Sequence, residues 1–197
     1  MKVNPHNQGR FSVVIPAAGN SDRMGQDKVL LKRKDGRTFA GYLIDSYLQA
    51  GAGQVVIVVN DKSLYEFPEN DRVKIVVNHF TERGRSYSIC LGMNSLAPDL
   101  PCFIQNVDNQ FISKEIISDL LNGVEDDVYC VPVFNRKSGH PVLIGSEIVK
   151  QFRNGEGTAD FKQVLSSYKR IEIAARDERI LLNVNTLEQY QRFIGME

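Results

Sequence analysis

Apolar residues along the chain alternate between two periodicities. Short runs rich in β-branched and aromatic residues occupy positions 11–17, 54–60, 73–78, 102–107, 128–134 and 141–144 and predict strands. Between several of them the apolar positions recur at helical spacing. Phe39, Leu43, Ile44, Tyr47 and Leu48 form one stripe of a segment from Thr38 to Ala50, which Gly51, Ala52 and Gly53 bring to a stop. Ser113 can cap a helix that carries Ile116, Ile117, Leu120 and Leu121 and closes at Asn122-Gly123. Strands alternating with helices predict an α/β sheet.

Residues 12–15 and 55–59 lack a polar face, as central parallel strands do when helices cover both sides. The prediction is a three-layer, doubly wound, mostly parallel Rossmann-like sheet. Ligands of such sheets sit beyond the carboxyl ends of the strands, so the loops after Ala17, Asn60, Asn78 and Val107 should share one rim. Farther on, residues 154–157 separate two short helical stretches, and strands are expected near 170–174 and 180–182. Thr186 with Gln189 makes a capping box for a last helix through Tyr190 and Phe193. Residues 32–37 read as a solvated turn with Asp35-Gly36 at its tip. There is no repeat or linker-like stretch, and one domain is expected over 1–197, with 1–10 as an N-terminal extension.

Composition narrows the function classes. At 197 residues, 42% hydrophobic and 24% charged, the chain can fold around a sizeable core, burying roughly 70% of its unfolded surface. Lys+Arg and Asp+Glu both number 24, so no bulk positive field exists to hold nucleic acid or an anionic membrane. The apolar runs are too short for a membrane span, and residues 1–9 are polar where a signal peptide needs an apolar stretch, which predicts a cytoplasmic location. Cys90, Cys102 and Cys130 are odd in number and form no Cys-x-x-Cys pair, and so read as buried thiols.

Three stretches on the expected rim could carry chemistry. Pro16-Ala17-Ala18-Gly19-Asn20-Ser21-Asp22-Arg23-Met24-Gly25, followed by Lys28, combines small residues, turn-forming glycines and two cations. Small residues let a backbone approach a ligand closely, successive N–H groups can nest an anion, and Arg23 and Lys28 would hold a triphosphate. The spacing fits neither Walker A nor Gly-x-Gly-x-x-Gly, and a plain turn is the alternative. Asp108, within Asn106-Val107-Asp108-Asn109, could bind Mg²⁺ between itself and phosphates, or serve as an Asx-turn or cap. Asn183 and Asn185, alternating on a short strand, could add amide oxygens to that ion or act only in a turn and cap.

Beyond these generic features, the glycine-loop stretch with Arg23-Met24-Gly25 and Lys28 resembles the signature of nucleotidyltransferases that activate small phosphorylated acceptors. That group includes the molybdenum cofactor guanylyl- and cytidylyltransferases and the methylerythritol-phosphate cytidylyltransferase. Asn78, Gly84-Arg85-Ser86-Tyr87-Ser88, Asp108, Gly139-His140-Pro141-Val142-Leu143, Gly157-Thr158-Ala159-Asp160 and Asn183-Val184-Asn185-Thr186 follow the motif order of the molybdenum cofactor cytidylyltransferase branch of this MobA-like family. The resemblance implies a nucleotide-diphospho-sugar transferase type of fold and transfer of CMP from CTP to a phosphorylated acceptor such as molybdopterin, with release of pyrophosphate. It implies nucleotide contacts from Ala17, Ala18, Gly19, Asn20, Ser21, Arg23, Gly25, Lys28, Asn78 and Ser86, with Arg23, Lys28 and Asp108 as the catalytic set. Gly139, His140 and Pro141 would then face the acceptor, and Asp108, Asn183 and Asn185 would hold Mg²⁺. Ala18 matches the Ala-Ala-Gly loop of the cytidylyl branch, where the guanylyl branch tends to have Gly. Two departures stand out: Asn109-Gln110 replaces a Gln-Pro or x-Pro pair, and Asn183 and Asn185 replace two aspartates. A sugar- or polyol-phosphate acceptor, and a non-catalytic nucleotide-binding protein of the same fold, are the alternatives. Transient docking to a cofactor-accepting enzyme would follow from a pterin acceptor.

Overall fold

Val13, Val14 and Ile15 are all fully buried, which successive strand residues achieve only when both faces of their sheet are covered. They belong to β1 (Ser12–Pro16), the centre of an eight-stranded sheet in a computed structural model that describes residues 11–19, 24–60, 67, 70–97, 99–154 and 160–197. β1 pairs in parallel with β2 (Gln54–Val59) and β4 (Cys102–Ile104), and β2 pairs in parallel with β3 (Val73–Val77). Beyond β4 the sheet is mixed. β7 (Val142–Ile144) runs antiparallel between β4 and β5 (Val128–Phe134), while β5 also pairs with β6 (Lys137–Ser138) and, in parallel, with β8 (Lys169–Ala174). The carboxyl ends of β1 to β5 and β8 therefore share one side of the molecule.

Helices cover both faces. Val13 and Ile15 pack into one core with Leu43 and Tyr47 of α1 (Phe39–Gln49) and Leu120 of α3 (Lys114–Gly123), flanked by Tyr190 and Phe193 of α6 (Leu187–Met196). Val14 packs into the other with Ile89 and Met93 of α2 (Gly84–Asn94), Ile148 and Val149 of α4 (Ser146–Asn154), and Phe161 and Leu165 of α5 (Phe161–Leu165). The expected three layers are present. The predicted caps form, Ser113 Oγ accepting from Ile116 N (3.2 Å) and Thr186 Oγ1 from Gln189 N (3.2 Å), and Thr38 Oγ1 caps α1 in the same way by accepting from Gly41 N (2.9 Å). Gly51 ends α1 at φ +97°. No helix among the described residues is long and apolar enough to cross a membrane.

Three expectations are corrected. β4 stops at Ile104 rather than Val107, because the buried Gln105 side chain donates to the carbonyls of Asn106 (3.1 Å) and Asn109 (2.7 Å) and folds the chain into a turn. Residues 180–182 do not form a strand: Asp177 caps a 3-10 turn at Glu178–Leu181 by accepting from Arg179 N (2.9 Å). The sheet is mostly parallel as expected, with β7 antiparallel beside β4 because short connections after β5 bring the chain straight back. Finally, Gly36 (φ +84°) does sit at a turn tip, but Arg33 in that turn is not solvated. Its guanidinium stacks 3.5 Å over Tyr42 and pairs with Glu197.

Candidate active site

Sheet topology brings the ends of β1 and β4 and the start of α2 around a cleft of about 220 Å³, lined by Ala17, Ala18, Gly19, Lys28, Arg85, Ser88 and Asp108 among others. Ala17 N donates to Val58 O (2.7 Å), so the β1 end stays tied to the sheet until the chain turns onto the rim. Ala18 is buried, whereas a Cβ built on Gly19 would meet nothing within 4 Å among the described residues, so small residues there let a ligand approach the backbone. Asn20, Ser21 and Arg23 lie outside the described residues, as do Gly157, Thr158 and Ala159. Gly25 follows at φ +64°, in the left-handed region that glycine adopts without strain.

Lys28 opens a 3-10 turn, Lys28–Leu30, capped by the Asp27 carboxylate and anchored by the fully buried Val29. Its Nζ donates to Asn185 Oδ1 (2.6 Å) and lies 3.2 Å from Asp108 Oδ2. Asp108 and Asn185 are held side by side because Val184, buried in the core, donates its N–H to Asp108 O (2.8 Å), while Asn185 N donates to Gln189 Oε1 (2.7 Å). Asn183, on the other side of Val184, is exposed and donates to Leu181 O (3.5 Å). The cluster thus draws on one of the two amides.

The Asp108 loop is clasped by its neighbours. Asn109 Nδ2 donates to Ile180 O (2.8 Å) and Leu182 O (2.9 Å), and Gln110 Nε2 to Val107 O (2.7 Å) and Phe39 O (3.3 Å). Both amides are buried, so the two residues that stand where the resembled pattern has Gln-Pro lock the loop to α1 and to the 3-10 turn. Asp108 Oδ1 is buried without a hydrogen-bond partner among the described residues. One carboxylate with an orphaned oxygen beside an amide oxygen suits Mg²⁺, which takes one or two protein carboxylates and completes its shell with water and phosphate. Among the described residues no group of three or more His, Cys, Asp or Glu could hold a metal.

On the opposite wall, the amino end of α2 meets the cleft at Gly84 (φ +79°), whose N–H donates to Thr81 O, and at Arg85, where the helix dipole adds a partial positive charge. Arg85 Nε donates to Asn106 Oδ1 (2.9 Å), and Asn106 Nδ2 faces His140 Nε2 at 2.9 Å. Desolvation lowers the Arg85 pKa, against the opposing pull of Asp108 and Asp160. Burial, reinforced by Arg85 and opposed by Asp108, pushes the His140 pKa down to about 4, so the ring is neutral at pH 7. Asn78 and Ser86 play supporting parts. Asn78 is buried and donates to Ser88 Oγ (3.0 Å), the hydroxyl that reaches the cleft, while Ser86 Oγ joins α2 to α5 through Asp160 Oδ2 (3.1 Å) and Phe161 N (2.9 Å). Gly139 and Pro141 are buried, and a Cβ on Gly139 would fall 2.5 Å from Ile180 O.

Arg85 and Asn106 have no assigned role in the sequence reading. Their signal was positional: a cation one residue into a rim helix, and an amide two residues before Asp108. The three thiols are buried and free, and burial raises the pKa of each, that of Cys130 to about 11, which makes them poor nucleophiles.

Comparison with known proteins places the chain in a family. The chain is 27% identical over 205 residues to a probable molybdenum cofactor guanylyltransferase of Natranaerobius thermophilus, covering 93% of this chain and 96% of that one. It is 22% identical over 180 residues to the molybdenum cofactor cytidylyltransferase of Escherichia coli K12, covering 90% and 92%. The structure of Rv0371c from Mycobacterium tuberculosis H37Rv superposes with a TM-score of 0.78 at 18% identity, covering 95% and 99%, and that protein has also been solved in complex with manganese. Residues 13–171 match the MobA-like NTP transferase domain, a span that includes the glycine loop, Lys28, Asp108 and His140, and the chain belongs to that family of nucleotidyltransferases.

Proposed function

We propose that the protein transfers CMP from CTP to the phosphate of a small acceptor of the molybdopterin type. An acceptor phosphate oxygen bonds to the α-phosphorus, the bond from that phosphorus to the bridging oxygen breaks, and pyrophosphate leaves with the electron pair. The observation that carries this reading is the meeting of Lys28, Asp108 and Asn185, from three separate loops, at 2.6 and 3.2 Å on the rim beside the glycine loop. Asp108 and Asn185 would hold Mg²⁺, which supplies charge neutralisation on the phosphates when bound. Lys28 and Arg85 bring positive charge to the same cleft, and the helix end behind Arg85 adds to it. Arg23 joins them on the strength of the family motif alone. His140, neutral and beside Asn106, stands on the acceptor side, and a pterin acceptor would bring transient docking to the enzyme that receives the finished cofactor.

Relatives of both guanylyl and cytidylyl type are similar to this chain, so the preference for CTP rests on Ala18, a buried residue of the cleft wall. Pyrophosphate release is the deciding assay: protein and Mg²⁺ with each of four NTPs, against pterin and sugar-phosphate acceptors. CTP with a phosphorylated pterin is expected to give the fastest release. Asp108→Asn should lower it by about 10²-fold or more while leaving the fold intact, and Ala18→Gly should relax CTP over GTP by about 1–3 kcal/mol. Release with a sugar phosphate instead would move the acceptor assignment, and silence with every pair would favour a non-catalytic nucleotide-binding protein.

A further inference from the structure

The Lys28 ammonium sits on the oxygens that suit a divalent cation, Asn185 Oδ1 at 2.6 Å and Asp108 Oδ2 at 3.2 Å. Both sides of this contact are built in. The capped 3-10 turn and the buried Val29 fix the base of the lysine, while its long flexible stem lets the ammonium exchange one set of oxygens for another. The hydrogen bond from Val184 to Asp108 O fixes the carboxylate and the amide relative to each other. An ammonium and a divalent cation cannot share these two oxygens, because like charges at contact distance repel and the same lone pairs are claimed twice. Lys28 also lines the cleft with Ala18, Gly19 and Arg85, so a triphosphate lodged there offers it several anionic oxygens in exchange for one carboxylate.

Resting on the nucleotidyl-transfer reading above, we propose that Lys28 is an interlock: it closes the cation site until a triphosphate draws it away, so that metal and nucleotide bind as a linked pair. The free protein then takes divalent cations weakly, and each ligand strengthens the other by the same factor, since linkage is reciprocal. The charge logic is consistent. Without ligands the ammonium balances Asp108; with them the metal takes over Asp108 and the ammonium balances phosphate.

Binding of Mn²⁺ to the full chain without nucleotide, followed by the electron paramagnetic resonance signal of free Mn²⁺, tests the interlock. Lys28→Met should bind Mn²⁺ more tightly than wild type by about tenfold, within the roughly 5–150-fold range of coupled sites. Adding Asp108→Asn to Lys28→Met should abolish that gain. Arg85→Met removes an equal charge from the cleft without touching the two oxygens, and should change Mn²⁺ affinity by less than about threefold at moderate salt. Thermal denaturation checks each variant's fold, and Lys28→Gln replaces Lys28→Met if the latter does not fold. Unchanged or weaker Mn²⁺ binding in the lysine variant, an equal gain in Arg85→Met, or a gain that survives Asp108→Asn overturns the proposal. Because the measurement contains no nucleotide, its failure is distinguishable from a failure of pyrophosphate release, which bears on the transferase reading instead.

Discussion

Desolvation governs the state of His140, and its hydrogen bonds say which nitrogen carries the proton. Arg85 Nε donates to Asn106 Oδ1, so the Asn106 amide turns its Nδ2 toward His140 Nε2, which accepts; the ring proton is then on Nδ1. Nδ1 is buried without a partner among the described residues, a donor kept dry in the half-buried segment that leads into β7. The folded pKa of about 4 lies below the ordinary value of 6.5. Between those values the unfolded chain binds more protons than the folded one, so stability rises with pH across this window and is lost as pH falls from 6.5 toward 4. At 1.36 kcal/mol per pKa unit the loss approaches about 3 kcal/mol at pH 4. Urea midpoints at pH 4.5 and 7 should therefore differ less in His140→Gln than in wild type. A variant with the same pH slope as wild type would mean that His140 is not the group being charged.

At the scale of elements, α2 links sheet packing to the cleft. A Cβ on Gly92 would lie 2.4 Å from Val14 Cγ1 and 3.2 Å from Val58 Cγ2, and β-branched side chains in a packed sheet cannot turn aside cheaply. Gly92→Ala should push α2 outward and destabilise the fold by about 1–3 kcal/mol, less the gain of up to about 1 kcal/mol in helix propensity. Because the same helix carries Arg85 and Ser88 into the cleft, nucleotide binding should weaken as well. Gly195→Ala in α6, where a Cβ meets nothing within 4 Å, should instead be neutral or stabilising; urea midpoints of the two variants test the contrast. These elements were unequally legible in the sequence. α3 and α6 declare themselves through a capping side chain and an apolar stripe, and α1 through its stripe and the glycine stop that follows it. The early end of β4 and the 3-10 turn at Glu178–Leu181 do not, since Gln105 and Asp177 decide them through hydrogen bonds that a run of apolar residues does not reveal.

For the whole molecule, a parallel sheet centre predicts that the loops after β1 and β4 meet, and they do. The contact between Lys28 and Asn185, 157 residues apart, follows no local pattern; only the order of motifs nominated both residues, and it could not separate Asn185 from Asn183. A site assembled from such distant segments should stabilise the entire fold when it is filled, because the ligand binds only the folded chain. At a ligand concentration about 100 times Kd this linkage is worth about 2.7 kcal/mol. For a protein of 197 residues that corresponds to a rise in Tm of about 5–10 °C, at roughly 2–4 °C per kcal/mol. CTP with Mg²⁺ should give this shift and GTP with Mg²⁺ a smaller one, while Asp108→Asn should lose the part that depends on the metal. Differential scanning measurements at matched nucleotide concentrations decide the matter. Equal shifts with both nucleotides would show that the Ala18 wall does not read the base, and a shift in Asp108→Asn as large as in wild type would show that the carboxylate does not hold the metal.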